Sequence, residues 1–185
     1  MTTLNLIVSA SARDARQSGG GGTMSLTALQ IELAFSSSWM GLGFTGVTIP
    51  QGQTLDAAVL SIFLYDLSKD DSDDDIYVED VDDSAVFTTT ANNISDRTRN
   101  ATPVNWAVTG LGTGYVAAPS VLSLVQIPIN RAGWVSGNAL SIIFDHLSTA
   151  ILTPRTYDNS PSEAATLDID YTPVTSNPWY AYAQQ

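Results

Sequence analysis

The chain has 185 residues, of which 44% are hydrophobic and only 14% charged, and it has a formal net charge of −12 and no cysteine. The length suits one domain with its own core, and the lack of cysteine excludes disulfides, zinc–thiolate sites and a thiol nucleophile. No run of about 18 apolar residues is present, so we expect a soluble protein without a membrane span, and the scattered basic residues argue against nucleic-acid binding.

Short apolar segments separated by Gly, Pro, Asn and Asp predict an all-β protein. The first ten residues carry no positively charged leader and alternate apolar with polar side chains, which is typical of an edge strand. The chain is therefore either not exported through a secretion signal or already processed.

The run Gly19 to Gly22 predicts a mobile loop unless something packs on it. Strands are predicted at Leu4–Ser9, Ser25–Ala34, Met40–Phe44, Ala57–Leu67, Ile76–Asp80, Leu140–Asp145 and Thr166–Tyr171.

Two of these strands have informative patterns. The segment Ala57–Tyr65 is apolar almost throughout, which is typical of a central strand covered on both faces. The segment Thr166–Tyr171 alternates strictly, so it predicts one core-facing side and one side of aspartates in water.

The negative charge is concentrated in one segment. From Asp66 to Asp83 the chain has nine Asp, one Glu and one Lys. Repulsion among these carboxylates favours either a solvated hairpin loop or a bound cation. The alternating Asp71, Asp73 and Asp75 resemble the first ligands of a calcium loop, but Ile76 stands where an EF-hand has glycine. We therefore predict a solvated loop, with a loose Ca²⁺ site at these three aspartates as the alternative and no other cofactor.

One short helix is predicted at residues 121–126. Ser120 can serve as its N-cap, and Pro128 is expected to stop it within two turns because proline lacks a backbone donor. After it, glycines on both sides of Trp134 lead into an apolar strand, and this pattern predicts that the indole lies in the core.

Pro173 and Pro178 exclude continued sheet or a stable helix beyond the last strand. We therefore predict a single sandwich over residues 1–172 and an extended arm over residues 173–185. The arm is tipped by the aromatic residues Trp179, Tyr180 and Tyr182. Because a free aromatic arm is an apolar liability, it is expected to dock on a neighbouring subunit or a larger assembly, with packing on its own sandwich as the alternative.

Several segments, taken in order, resemble a known type of module. They are Phe44-Thr45-Gly46-Val47-Thr48-Ile49-Pro50-Gln51-Gly52, Asn92-Asn93-Ile94-Ser95-Asp96-Arg97, Asn130-Arg131-Ala132-Gly133-Trp134, and Leu167-Asp168-Ile169-Asp170-Tyr171. The chain resembles the jelly-roll modules of the DNRLRE and carbohydrate-binding type, which occur as repeats in bacterial surface proteins and as short virion proteins of tailed bacteriophages. The resemblance implies an all-β, two-sheet β-sandwich of jelly-roll type with one short helix. It brings no catalytic motif.

Residues with catalytic chemistry are sparse. His146 is the only histidine, and we interpret it as a surface or strand-end residue, because a triad would also need a serine and an aspartate beside it. A carboxylate pair such as Asp80 with Asp158 could perform glycosidic chemistry only at a defined separation. We therefore expect no enzyme, and keep a hydrolase as the third hypothesis because jelly rolls carry many activities.

The preferred hypothesis is a non-enzymatic virion protein of the capsid decoration, cement or fibre type. It would form a homo-oligomer, a trimer as first expectation, and contact a capsid or other virion protein. The alternative is a carbohydrate-binding module at a bacterial surface or outside the cell, in which Trp39 or Tyr115 stacks on glycans and an aspartate binds sugar hydroxyls. Trp106 and Trp134 are predicted in the core, and Trp39 is predicted to be exposed.

Overall fold

The computed structural model describes residues 1–31, 33, 37–65, 72–148 and 151–173, and the structural statements below concern these residues. They contain one α-helix, two short 3₁₀ turns at Ser11–Arg13 and Pro161–Glu163, and ten strands. The strands are β1 (Thr2–Ile7), β2 (Asp14–Gln17), β3 (Met24–Ser25), β4 (Trp39–Phe44), β5 (Leu55–Leu64), β6 (Ser72–Val78), β7 (Val104–Val108), β8 (Gly114–Ala117), β9 (Leu140–His146) and β10 (Thr166–Tyr171), and the helix α1 is Leu122–Asn130.

The strands form two antiparallel sheets. One has the order β1-β10-β5-β8, and the other has the order β3-β2-β4-β9-β6-β7. Without β2 and β3 the six-stranded sheet also has four strands, in the order β4-β9-β6-β7. In both sheets strands pair with partners that are distant in the chain, as β1 does with β10 and β4 with β9. This is the strand order of a jelly roll. The prediction of a two-sheet β-sandwich with one short helix is confirmed.

A single core lies between the sheets. Side chains on alternate positions of each strand point into it, as the pleat of a strand requires, and Leu60, Ile142 and Phe144 are fully buried. Trp106 and Trp134 are buried as predicted, and the Trp134 Nε1–H donates a hydrogen bond to the Ile49 carbonyl at 2.9 Å. Within the described part of the chain, no helix has the length and apolar character needed to cross a membrane.

A second, smaller cluster covers part of the outer face of the six-stranded sheet. Phe87 and Ile94, from the connection between β6 and β7, pack there against Ile143. The Phe87 ring lies directly over Gly41, where an added Cβ would be 2.3 Å from Cζ. Only glycine at this position leaves room for the ring. We call residues 81–99 the covering segment.

The helix is longer than predicted. It continues through Pro128 to Asn130, so the prediction that Pro128 stops it was wrong. The proline lies in the last turn, where few backbone bonds remain to be lost, and its ring is buried in the core. The Ser120 Oγ lies 3.4 Å from the Leu122 nitrogen, while Val121 occupies the N-cap position.

The acidic segment is not simply a solvated loop. Its part from Ser72 to Val78 is strand β6, which lies inside the six-stranded sheet between β9 and β7 and overlaps the strand predicted at Ile76–Asp80. Apolar partners in β9 and the buried Ile76 and Val78 hold it there. The prediction for residues 25–34 was also too long, because residues 26–29 are unpaired and, of the described residues after them, Gln30 and Leu33 form only isolated bridges.

Candidate functional site

Five polar or aromatic side chains form a row across the outer face of the six-stranded sheet. The strand register places them opposite one another in the order Gln17, Trp39, Asp145, Asp75 and Asn105. Directly opposed residues project from the same face of a sheet, so they form one line, which we call the cross-strand row. With strands about 4.8 Å apart, four steps make it about 19 Å long.

Gln17 closes one end of the row and holds the covering segment. Its Oε1 accepts hydrogen bonds from the backbone nitrogens of Ile94 and Ser95 at 3.1 and 2.9 Å, and its Nε2 donates to the Ser95 Oγ at 2.8 Å. Gln17 is therefore buried and fully engaged. The open part of the row begins at Trp39 and ends at the exposed Asn105.

Arg99 stacks between two aromatic rings beside the row. Its guanidinium carbon lies 4.3 Å from the ring centroid of Trp39 and 4.9 Å from that of Tyr77. Trp39 is therefore half-buried and not freely exposed as predicted, because one face of its ring carries the arginine. The Arg99 Nη1 is buried and has no hydrogen-bond partner among the described residues.

Carboxylates outnumber cations along the row. Burial raises the pKa of Asp145 to about 6; Arg99 opposes the shift and Asp75 adds to it. Asn105 Nδ2 donates hydrogen bonds to the carboxylates of Asp73 and Asp75 at 2.8 and 3.2 Å. Three aspartates thus face one arginine, so the row favours uncharged or cationic ligands and repels anions.

A polar cleft of about 400 Å³ adjoins the Trp39 end of the row. Ser37 and Asn92 line it with backbone φ angles of 77° and 63°, and the glycine loop forms one wall. Gly22 approaches so closely that an added Cβ would lie 1.7 Å from the Asn92 Oδ1. The predicted glycine loop is therefore packed by Asn92, which also donates its backbone N–H to the Gly22 carbonyl at 2.9 Å.

Tyr115, the other predicted stacking residue, lies on β8 in the opposite sheet. Its hydroxyl is 2.9 Å from the carbonyl oxygens of both Ser162 and Ala164, and its ring meets the edge of Phe63 at a centroid distance of 5.3 Å. Burial raises the pKa of Tyr115, and the charge of Glu163 adds to this effect. The structure therefore does not bring Trp39 and Tyr115 into one site.

The outer face of the four-stranded sheet is divided into two halves. Its β1 and β10 half is polar, with Asn5 donating to Asp168 at 2.7 Å. Its β5 and β8 half is apolar, and we call it the apolar half-face. The interpretation of β5 as covered on both sides was wrong, because every second residue points to this open face. The members of the half-face are Ala57, Val59, Phe63, Tyr65, Tyr115 and Ala117, and the half-buried polar Ser61 lies among them, opposite Ala117. Val59, Tyr65 and Tyr115 are 40%, 51% and 45% exposed.

His146 belongs to a buried polar cluster at one end of the core. The register places it opposite Asp74, and its Nδ1 lies 2.9 Å from the Asp74 Oδ1, with both side chains 0% exposed. Ser72 donates a hydrogen bond to the same carboxylate, and the Ser148 Oγ is 3.5 Å from the histidine Nε2. The order of groups resembles a hydrolytic triad, but complete burial leaves the imidazole no surface for a substrate. His146 is at a strand end, as predicted, but not at the surface.

The remaining predicted site residues fall elsewhere. Asp73 and Asp75 lie on the outer face of β6, whereas Asp71 and the arm residues Trp179, Tyr180 and Tyr182 lie outside the described residues. No group of three or more acidic, histidine or cysteine side chains suited to a metal occurs in the described ranges. Asp80 pairs with Arg131 and Asp158 accepts a hydrogen bond from Ser11, so the two acids have separate partners.

Three residues of the candidate site had no signal in the sequence. Gln17, Asn105 and Arg99 are single polar residues in segments without a strong pattern, and β2 and β7 were not predicted as strands. Asp145, which follows the core residue Phe144 at the end of a predicted strand, could have been assigned to an outer face.

Comparison with known proteins adds no relative. No model of a known protein family matches the chain. A search of curated proteins likewise finds no similar sequence. What is shown is the class: a two-sheet, all-β sandwich with one short helix.

Proposed function

We propose that the protein is a non-enzymatic structural component of a tailed-phage virion that acts by packing its surfaces against other molecules. In this proposal it forms a homo-oligomer, a trimer as first expectation, and contacts a capsid or other virion protein. The apolar half-face is the observation that supports it. An exposed, mainly apolar patch with two tyrosines is typical of a protein–protein interface, whereas scattered single apolar residues are not.

A matched pair of substitutions tests this interface. Ala117 and Ala107 are both exposed, on the outer faces of different sheets. We expect Ala117→Lys and Val59→Lys to dissociate the oligomer, since a buried lysine in an apolar contact lacks a partner, while Ala107→Lys leaves it intact. Light scattering after size-exclusion chromatography measures the mass. A wild-type protein that is monomeric at every concentration, or an oligomer that both Lys variants leave intact, contradicts the proposal.

The C-terminal arm offers a second test of assembly. Deleting residues 177–185 removes Trp179, Tyr180 and Tyr182, which the proposal places against a neighbouring subunit or virion protein. We expect the dissociation constant of the oligomer to rise at least tenfold. An unchanged constant, measured by analytical ultracentrifugation, argues that the arm does not contribute to assembly.

Glycan binding is the second candidate function, and the cross-strand row favours it. The row combines an indole, two carboxylates and an amide along a line long enough for several sugar rings, and a polar cleft continues it beyond Trp39. Sugars are bound by this mixture of ring contacts and hydrogen-bonding side chains. The excess of carboxylates predicts neutral or amino sugars and not acidic ones.

Matched substitutions on the two sheets separate glycan binding from the structural virion role. We expect Asp75→Asn and Asn105→Ala to weaken binding of a neutral glycan at least tenfold in calorimetry. Asp168→Asn and Asn5→Ala, on the outer face of the four-stranded sheet, serve as controls and should bind normally. A silent glycan array combined with unchanged tryptophan fluorescence on adding polysaccharides excludes this function, without affecting the oligomer experiment.

A further inference from the structure

Two acidic residues lie where the turn before β2, at Ser11–Arg13, contacts a turn at residues 157–159, which precedes β10. Asp14, at the start of β2, is 3% exposed and faces the core side, opposite Leu42. Its Oδ2 accepts a hydrogen bond from the backbone N–H of Tyr157 at 2.6 Å. The next residue, Asp158, accepts a hydrogen bond on Oδ1 from the Ser11 hydroxyl at 2.8 Å. Each carboxylate therefore uses one oxygen to join the two turns.

The second oxygen of each carboxylate is buried without a partner. Neither the Asp14 Oδ1 nor the Asp158 Oδ2 has a hydrogen bond among the described residues. None of the ion pairs found among those residues includes either acid, and Arg16, which follows on the same face of β2, does not reach them. A buried carboxylate oxygen of this kind is stabilised either by a cation or by a proton.

Among the described residues, no Lys, Arg or His therefore forms an ion pair that would offset the charge of these two acids.

We propose that Asp14 and Asp158 bind one calcium ion, which links the N-terminal turn at Ser11–Arg13 to the turn that precedes β10. The unpartnered donors are oxygens only, the chain has no cysteine, and its one histidine is paired with Asp74. Such donors suit a hard cation. Calcium accepts irregular sets of carboxylate, backbone carbonyl and water oxygens, whereas magnesium demands a near-octahedral arrangement. Two carboxylates also balance its charge.

Thermal unfolding of the full chain tests the site. After treatment with EDTA, the protein is titrated at pH 7.5 with CaCl₂ to millimolar concentration, and with MgCl₂ and NaCl at equal ionic strength. Binding to the folded state only should raise Tm by about 5 °C in calcium. The rise should persist in Asp75→Asn, which alters the acidic strand, and disappear in Asp14→Asn and Asp158→Asn.

A direct binding measurement keeps the test valid if an aspartate variant fails to fold. Tb³⁺ replaces Ca²⁺ at oxygen sites and is excited through a nearby tyrosine, here Tyr157. We expect luminescence that excess Ca²⁺ abolishes and that Tyr157→Phe removes, while this variant keeps the calcium-dependent rise in Tm. A wild-type Tm that does not respond to calcium, or a response that survives in both aspartate variants, overturns the site.

Discussion

The outer faces of the two sheets differ in what covers them. On the six-stranded sheet, the covering segment packs Phe87 over Gly41 and leaves the polar cross-strand row open. On the four-stranded sheet the apolar half-face is covered much less: the Arg155 guanidinium lies 4.0 Å from the Tyr65 ring centroid, and Val59, Tyr65 and Tyr115 remain in contact with solvent. Both sheets obey the same period of two, so the alternation of residues does not distinguish them. The two faces differ because one long connection, which contains the covering segment, folds back over the six-stranded sheet.

The largest expected effect comes from releasing the covering segment. Arg97 fixes it through an ion pair with Glu79 at 2.7 Å, with both side chains more than 90% buried, and through hydrogen bonds to the Ala85 and Val86 carbonyls. Its guanidinium also lies 4.1 Å from the Phe87 ring centroid. Arg97→Met should lower the free energy of unfolding by about 3 kcal/mol, because it leaves the Glu79 carboxylate buried and unpaired. Urea denaturation measures the loss.

The double variant Arg97→Met, Glu79→Gln provides the control for this prediction. It removes the unpaired charge and should recover part of the lost stability. If the single and double variants are equally unstable, the ion pair does not hold the covering segment. Increased binding of a hydrophobic dye by Arg97→Met would show that the six-stranded sheet has come to resemble the bare one.

A smaller loss is expected from Gly41→Ala. The added methyl group would overlap the Phe87 ring and force the covering segment outward, at a cost of about 2 kcal/mol. Gly112→Ala is the matched control, since nothing lies within 4 Å of an added Cβ there and its φ is compatible with alanine. It should be neutral or slightly stabilising. Equal midpoints for the two variants in chemical denaturation would contradict this close packing.

The smallest effect concerns the charge of the row. Because the pKa of Asp145 is raised to about 6 in the folded protein, the folded state holds its proton more tightly than the unfolded state. Stability should therefore fall as pH rises from about 4 to 6 and then level off. Asp145→Asn should remove this fall, which we expect to be about 1 kcal/mol because solvent screens the half-buried group. Parallel stability curves for wild type and variant between pH 4 and 7 would show that Asp145 does not contribute.

Much of the fold could be predicted because strand patterns are local. The alternation in Thr166–Tyr171 correctly placed Leu167 and Ile169 in the core and the aspartates outside. The burial of Trp134 also followed from its neighbouring glycines and the strand after it. Prediction failed where a strand had no pattern of its own, as in β7, or where burial overrode composition, as in the acidic first half of β6, before the predicted strand at Ile76–Asp80. The helix continued past Pro128 for the same reason, because core packing outweighed local preference.

The candidate sites could be predicted much less completely. Trp39 was recognised as a possible ligand contact, but Arg99 on its ring was not, since the two residues are far apart in the chain. The calcium prediction at Asp71, Asp73 and Asp75 remains untested, while a different acidic pair, Asp14 and Asp158, has the unpartnered buried oxygens.

By itself the sequence determined that this chain is an all-β sandwich without thiol chemistry, because residue types and their period of two depend on neighbours along the chain. Tertiary structure decided which strands pair, which face is covered, and that Gln17, Trp39, Asp145, Asp75 and Asn105 form one line. Register joins residues more than a hundred positions apart, and it is set by the fit of the whole core and not by any local pattern.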